Sequence, residues 1–90
     1  MIKIKVTFKY SNKDTSYHTL CFRTKYDISY IFTKKFHDKM IDNIIKKYIN
    51  DERKYTNYSQ YAKLKLFKND KEYKDVINNL IITEITVRLN

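Results

Sequence analysis

The chain has 90 residues and carries 19 Lys and Arg against 10 Asp and Glu, a formal charge of +9, with no glycine and no proline. That length allows one small domain, residues 1–90, and that charge points to an acidic partner. The missing glycines exclude Walker A loops, dinucleotide G-x-G-x-x-G turns, EF-hand loops, G-x-S-x-G elbows and KH-type clamps, all of which need positive φ or a close backbone approach to phosphate.

Ile2, Ile4, Val6, Phe8 and Tyr10 alternate with Lys3, Lys5, Thr7 and Lys9, the period of a half-buried strand with lysines on its outer face. Ser11 to Ser16 holds Ser, Asn, Lys, Asp and Thr, which turn a chain through side-chain hydrogen bonds without glycine. A second strand over Tyr17 to Thr24, with Leu20 and Phe22 inward and Thr19, Cys21 and Arg23 outward, would close an antiparallel hairpin. Asp27 is placed to cap a helix, and Ile28, Ile31, Phe32 and Phe36 share one stripe at spacings of three and four. From Met40 the stripe moves: Ile41, Ile44, Ile45 and Tyr48 centre roughly half a turn away. Either the helix breaks near Asp38, or its second half buries its apolar face against the Tyr-rich loop or a second copy of the chain. The candidate dimer contact is Ile41, Ile45 and Tyr48.

Residues 51 to 60 read as a loop. Ala62, Leu64 and Leu66 alternate with Lys63, Lys65 and Phe67, which predicts a third strand. Asn69 and Glu72 have capping-box spacing before Tyr73, Val76, Ile77 and Leu80, which suits one or two turns of helix. The chain closes in a strand with Ile85, Val87 and Leu89 inward and Glu84, Thr86 and Arg88 outward.

This order, β-β-α-β-short α-β, predicts an α+β fold: a β-grasp-like mixed sheet with one face covered by a long or broken helix. Met1-Ile2-Lys3-Ile4-Lys5-Val6-Thr7-Phe8 resembles a β-grasp first strand, and Asp75 to Leu80 leading into Ile85-Thr86-Val87-Arg88-Leu89 is similar to the turn and last strand of ubiquitin. Lys5-Val6-Thr7-Phe8 with its polar turn resembles the YukD family, small ubiquitin-like components of type VII secretion systems. The resemblance implies that the first and last strands pair in parallel at the sheet centre, and offers a second function, a scaffold or regulatory part of a secretion complex. Ending at Leu89-Asn90 without Gly-Gly, the chain is not expected to be conjugated as ubiquitin is.

In the β-grasp order, the uncovered sheet face gathers Lys3, Lys5, Lys9, Arg23, Lys63, Lys65 and Arg88 against one acid, Glu84. Cations this close repel one another, which a phosphate backbone or a row of carboxylates would relieve. Tyr17, Tyr61 and Phe67 could stack on bases there. A second candidate surface is Arg53, Lys54, Tyr55 and Tyr58, cations beside regularly spaced aromatics; the alternative is that these tyrosines roof Ile44, Ile45 and Tyr48.

Catalytic constellations are sparse. His18 and Cys21 differ by an odd number on a strand, so they point to opposite faces and form no nucleophile and base pair. Asp38 and Asp42 beside His37 are explained by ion pairs to Lys34, Lys39 and Lys46. One Cys and two His cannot build a four-ligand zinc site or an intrachain disulfide, so no metal or cofactor is expected, and no small-molecule substrate is evident. The lone thiol fits a reducing compartment. The longest aliphatic run, Leu80-Ile81-Ile82, falls far below the roughly 20 residues of a span, which predicts a cytoplasmic protein with no membrane partner.

Phe, Tyr, Met, Ile, Asn and Lys, all with AT-rich codons, make up 52 of the 90 residues. The gene is therefore expected in a very AT-rich genome, or in a phage or plasmid living in one, and part of the lysine is codon drift. Together these features predict a small non-enzymatic binding protein whose basic sheet face engages nucleic acid, a nucleoprotein complex or an acidic protein. A phage- or plasmid-encoded inhibitor such as an anti-CRISPR, acting in a bacterial cytoplasm, would fit.

Overall fold

The computed structural model describes residues 1–52 and 54–89. Strands β1 (Ile2–Lys9) and β2 (His18–Thr24) form the expected hairpin, with Ile4 opposite Phe22 and Val6 opposite Leu20. Its turn is held by Asp14, whose carboxylate accepts from the backbone N–H groups of Tyr10 at 3.1 Å and Ser16 at 3.0 Å. Asp27 caps a short 3-10 helix over Ile28–Phe32, accepting from the Ser29 N–H. Helix α1 (Lys34–Asp51) then starts afresh behind Thr33, whose hydroxyl accepts from the Phe36 N–H. Helices α2 (Gln60–Lys68) and α3 (Glu72–Asn79) follow, and strand β3 (Ile81–Leu89) completes an antiparallel sheet in the order β2-β1-β3.

The fold is α+β, an open sheet with helices on one face and a broken helix crossing it, consistent with a β-grasp-like layout. Four details differ from expectation. The helix breaks at Thr33, not near Asp38, and this leaves Ile28 and Phe32 exposed while Phe36 is buried. Residues 62–67 lie in α2, not in a third strand: Ser59 caps the helix by accepting from the Ala62 N–H, and Leu64 and Phe67, three apart, are the buried pair. The segment has no β-branched residue and is rich in Ala, Leu and Lys, so helix propensity wins over a three-position alternation. Asn69 ends α2, and Asp70, not Asn69, accepts from the Glu72 N–H at the start of α3.

The fourth difference is strand direction: β3 pairs antiparallel to β1, with Ile2 opposite Leu89 and Lys9 opposite Ile81. Eighteen residues of α1 carry the chain about 27 Å at 1.5 Å per residue. It thus travels from the Thr24 end of the sheet to the hairpin end, where Asp51 accepts from the Tyr10 hydroxyl at 2.8 Å. With α2 and α3 packed there in place of a third strand, β3 enters beside Lys9 and must run back along β1.

The shift of stripe along α1 is explained by two cores. Phe36, Met40 and Ile44 pack on Ile4, Val6, Phe8 and Phe22 of the sheet. Ile45 and Ile49 pack with Leu64, Phe67 and Val76 of α2 and α3, and Ile41 touches both clusters. At about 100° per residue, positions four apart drift slowly around the helix, so one helix presents adjacent faces to two layers. Among the described residues, no helix is long and apolar enough to cross a membrane.

Candidate nucleic-acid interface

Because strand side chains alternate, burying Ile4, Val6 and Phe8 under α1 sends Lys3, Lys5, Thr7 and Lys9 to the open face. The strand registers then assemble rows across the sheet. Lys3 stands between Arg23 and Arg88, Lys5 between Cys21 and Thr86, and Thr7 between Thr19 and Glu84. Directly opposed residues lie roughly 5 Å apart, so the first row is three cations shoulder to shoulder. The first two rows bound a depression of about 530 Å³ lined by Lys3, Lys5, Cys21, Arg23, Thr86 and Arg88. Lys9 extends the face toward the hairpin, its ammonium 5.3 Å from the centroid of the exposed Tyr17 ring.

Among the described residues, no ion pair involves Lys3, Lys5, Lys9, Arg23 or Arg88. Among the described residues the face has one carboxylate, Glu84, which accepts from the Thr86 hydroxyl at 3.1 Å. Like charges directly opposite on neighbouring strands are unfavourable, so the arrangement is one that an added anion would relieve.

The other half of the expected patch lies elsewhere. Lys63, Lys65 and Tyr61 belong to α2 in the helical layer, not to the sheet face, because residues 62–67 are helical. Phe67 is fully buried and cannot stack on a base. The sheet-face site is therefore Lys3, Lys5, Lys9, Arg23, Arg88 and Tyr17, joined by Thr7, Thr19, Cys21 and Thr86. The threonines and the cysteine were legible as outward strand positions, although only register could show Cys21 and Thr86 lining the depression and Thr7 and Thr19 in the row beside it.

In the second candidate surface, Arg53 lies outside the described residues. The Lys54 ammonium pairs with Glu72 and sits 5.8 Å from the Tyr48 ring and 5.5 Å from the Phe67 ring. Tyr55 holds a left-handed φ of 55°, where glycine is ordinarily favoured, and its hydroxyl donates to Asp70 at 2.9 Å. That bond, then burial and the Asp70 charge, push the Tyr55 phenol above its ordinary value. Lys54 and Tyr55 thus hold α3 against the end of α1, and Tyr58 stays exposed with its ring edge-on to Tyr55. The proposed dimer contact is likewise corrected: Ile45 is fully buried, and Ile41 and Tyr48 pack on the cluster built by α2 and α3. The displaced stripe is covered within the chain.

A polar cluster joins the hairpin to α1. His18 Nε2 lies 2.9 Å from Asp14, the His18 and Tyr10 rings are 4.4 Å apart, and the Tyr10 phenol is pushed far up by burial and by its bond to Asp51. His18 shares the helix-side face with Phe8, and Cys21 shares the open face with Lys5, so the two point apart as their spacing predicts. Lys34 pairs with Asp38 at 2.8 Å as expected, whereas Asp42 pairs with Lys68 of α2 at 3.0 Å instead of with a lysine on its own helix. Among the described residues, no group of three or more His, Cys, Asp or Glu could hold a metal ion. The chain matches no protein-family model, no curated protein and no solved structure.

Proposed function

We propose that this protein is a non-catalytic binding module that takes the phosphate backbone of a nucleic acid, free or within a nucleoprotein complex, on the open face of its sheet. The observation that carries the reading is the group of five cations, Lys3, Lys5, Lys9, Arg23 and Arg88, gathered on one face without an ion pair among the described residues. With no glycine in the chain, the face meets its ligand through side chains, and lysine and arginine ends suit phosphate oxygens. One aromatic ring, Tyr17, stands at the edge of the face, so affinity rests on charge more than on stacking. An inhibitor borne on a phage or plasmid that competes for the phosphates of a nucleoprotein machine would use the same chemistry.

The test is a salt titration of binding to single-stranded and duplex DNA and RNA oligonucleotides. Five phosphate contacts give a slope of log K against log salt of about −3.5 on single strands and about −4.5 on duplex DNA. Lys3→Glu and Arg23→Glu should each weaken binding at least about tenfold and flatten the slope, while Lys63→Glu on α2 leaves both nearly unchanged. Absence of binding at low salt, or equal sensitivity to Lys63→Glu, would overturn the reading.

A further inference from the structure

The two edges of the sheet are protected unequally. On the β2 edge, Phe22 and Thr24 are buried beneath the helical layer, with Phe36 of α1 edge-on to Phe22 at 5.8 Å. On the β3 edge, the helix-side residues Ile85 and Leu89 are 42% and 70% exposed, although Val6, directly opposite Ile85, is fully buried. The helical layer therefore covers β3 only in part, at Ile82 and Val87, and leaves its outer end open. Exposed edges are ordinarily blunted by lysine, proline or shortness. Strand β3 has nine residues and holds none of the chain's 16 lysines, while the central strand holds three.

The regular part of β3 is also complementary to itself. A bulge between Thr7 and Phe8 of the β1 pairing interrupts the register near Thr83, and from Glu84 onward the strand is regular. Pairing two copies antiparallel about Thr86 sets Glu84 opposite Arg88 of the second copy, and Arg88 opposite its Glu84. On the helix side it sets Ile85 opposite Val87, and the reverse. Opposite charges and apolar pairs at directly facing positions each stabilise an antiparallel pair. Moving the centre by one residue in either direction breaks both charge pairs. The β2 edge has no such register, because it carries Arg23 and no carboxylate.

We propose that β3 is a homodimer edge, where two copies pair antiparallel about Thr86 to make one six-stranded sheet. The two-fold axis is perpendicular to the sheet, so both open faces lie on the same side and both helical layers on the other. Arg88, without an ion pair among the described residues, gains Glu84 of the second copy. Lys3, Lys5, Lys9 and Arg23 of each copy remain free on one wider basic surface. The inference stands on the edge itself and does not depend on what the face binds.

Sedimentation velocity from about 1 µM to about 500 µM, the range over which a modest edge contact is populated, reads the outcome directly. The wild-type chain should be dimeric toward the upper end. Glu84→Arg and Arg88→Glu should each raise the dissociation constant at least about tenfold by setting like charges opposite, and the double variant Glu84→Arg/Arg88→Glu should restore it. A wild-type monomer throughout would overturn the proposal. A dimer indifferent to both single changes, or a double variant no better than the singles, would overturn it equally. All three variants alter exposed positions of an edge strand, and circular dichroism checks that they fold.

Discussion

On the helix side of the sheet, Ile4, Val6 and Phe8 are sealed under α1, and four of the lysines have carboxylate partners: Lys34 with Asp38, Lys47 with Asp51, Lys54 with Glu72 and Lys68 with Asp42. On the open side, the same strand sets Lys3, Lys5 and Lys9 among Arg23 and Arg88, with Glu84 as the one acid among the described residues. Nine of the ten carboxylates lie in the turns and helices. Codon drift supplies lysine everywhere and cannot sort acids to one side, so the segregation is a property of the fold and the most informative feature of the molecule. The helical side holds the protein together, and the open side is left with charge to be answered from outside.

The comparison predicts that stability and binding separate by face. Phe67→Ala removes a fully buried ring from the cluster between α1, α2 and α3, and should cost about 3–5 kcal/mol in urea unfolding. Lys5→Ala on the open face should stay within about 0.5 kcal/mol. Equal losses would mean that the open face also carries structure.

A smaller effect has the opposite sign. Lys3 stands between Arg23 and Arg88, so Lys3→Gln should raise stability by about 0.2–1 kcal/mol in low salt through relief of like-charge contacts. The gain should shrink as salt screens the row. A loss of stability would show that the Lys3 charge is answered within the folded chain.

How far all this could be read from the sequence depends on how local the deciding forces are. The hairpin was legible, because Ile2 to Tyr10 alternates over enough residues to fix both face and strand, and Asp27 announced its cap. The sheet half of the basic face followed from the same alternation. The segment from Ala62 to Phe67 was not legible as helix: Ala62, Leu64 and Leu66 fit a strand face, and only packing shows Leu64 and Phe67 inward with Leu66 left out. Taking it as a strand put Lys63, Lys65 and Tyr61 on the wrong layer and sent the stripe of Ile41, Ile45 and Tyr48 to the Tyr-rich loop or a second copy for cover, where α2 and α3 supply most of it. Strand direction was illegible for a related reason, since the end at which β3 enters depends on where α2 and α3 leave the chain.

The comparison also divides the responses to acid and to salt, and the hairpin turn is where this is sharpest. Backbone N–H groups of Ser16 and Tyr10, and then His18, hold the Asp14 carboxyl below its ordinary range, and Lys34 does the same for Asp38. A carboxyl lowered in the folded state contributes stability that is complete above its unfolded value, about 3.9, and is lost as pH falls through the folded value. Asp14→Ala should therefore be less stable than wild type at neutral pH, and the two denaturation midpoints should draw together as pH drops below that unfolded value and through the lower folded one. A gap that stays constant from neutral pH into acid would mean that Asp14 acts by shape alone. Added salt should leave most of this gap intact, since its main causes are short hydrogen bonds within one turn, while the same salt erases the gain from Lys3→Gln across the sheet.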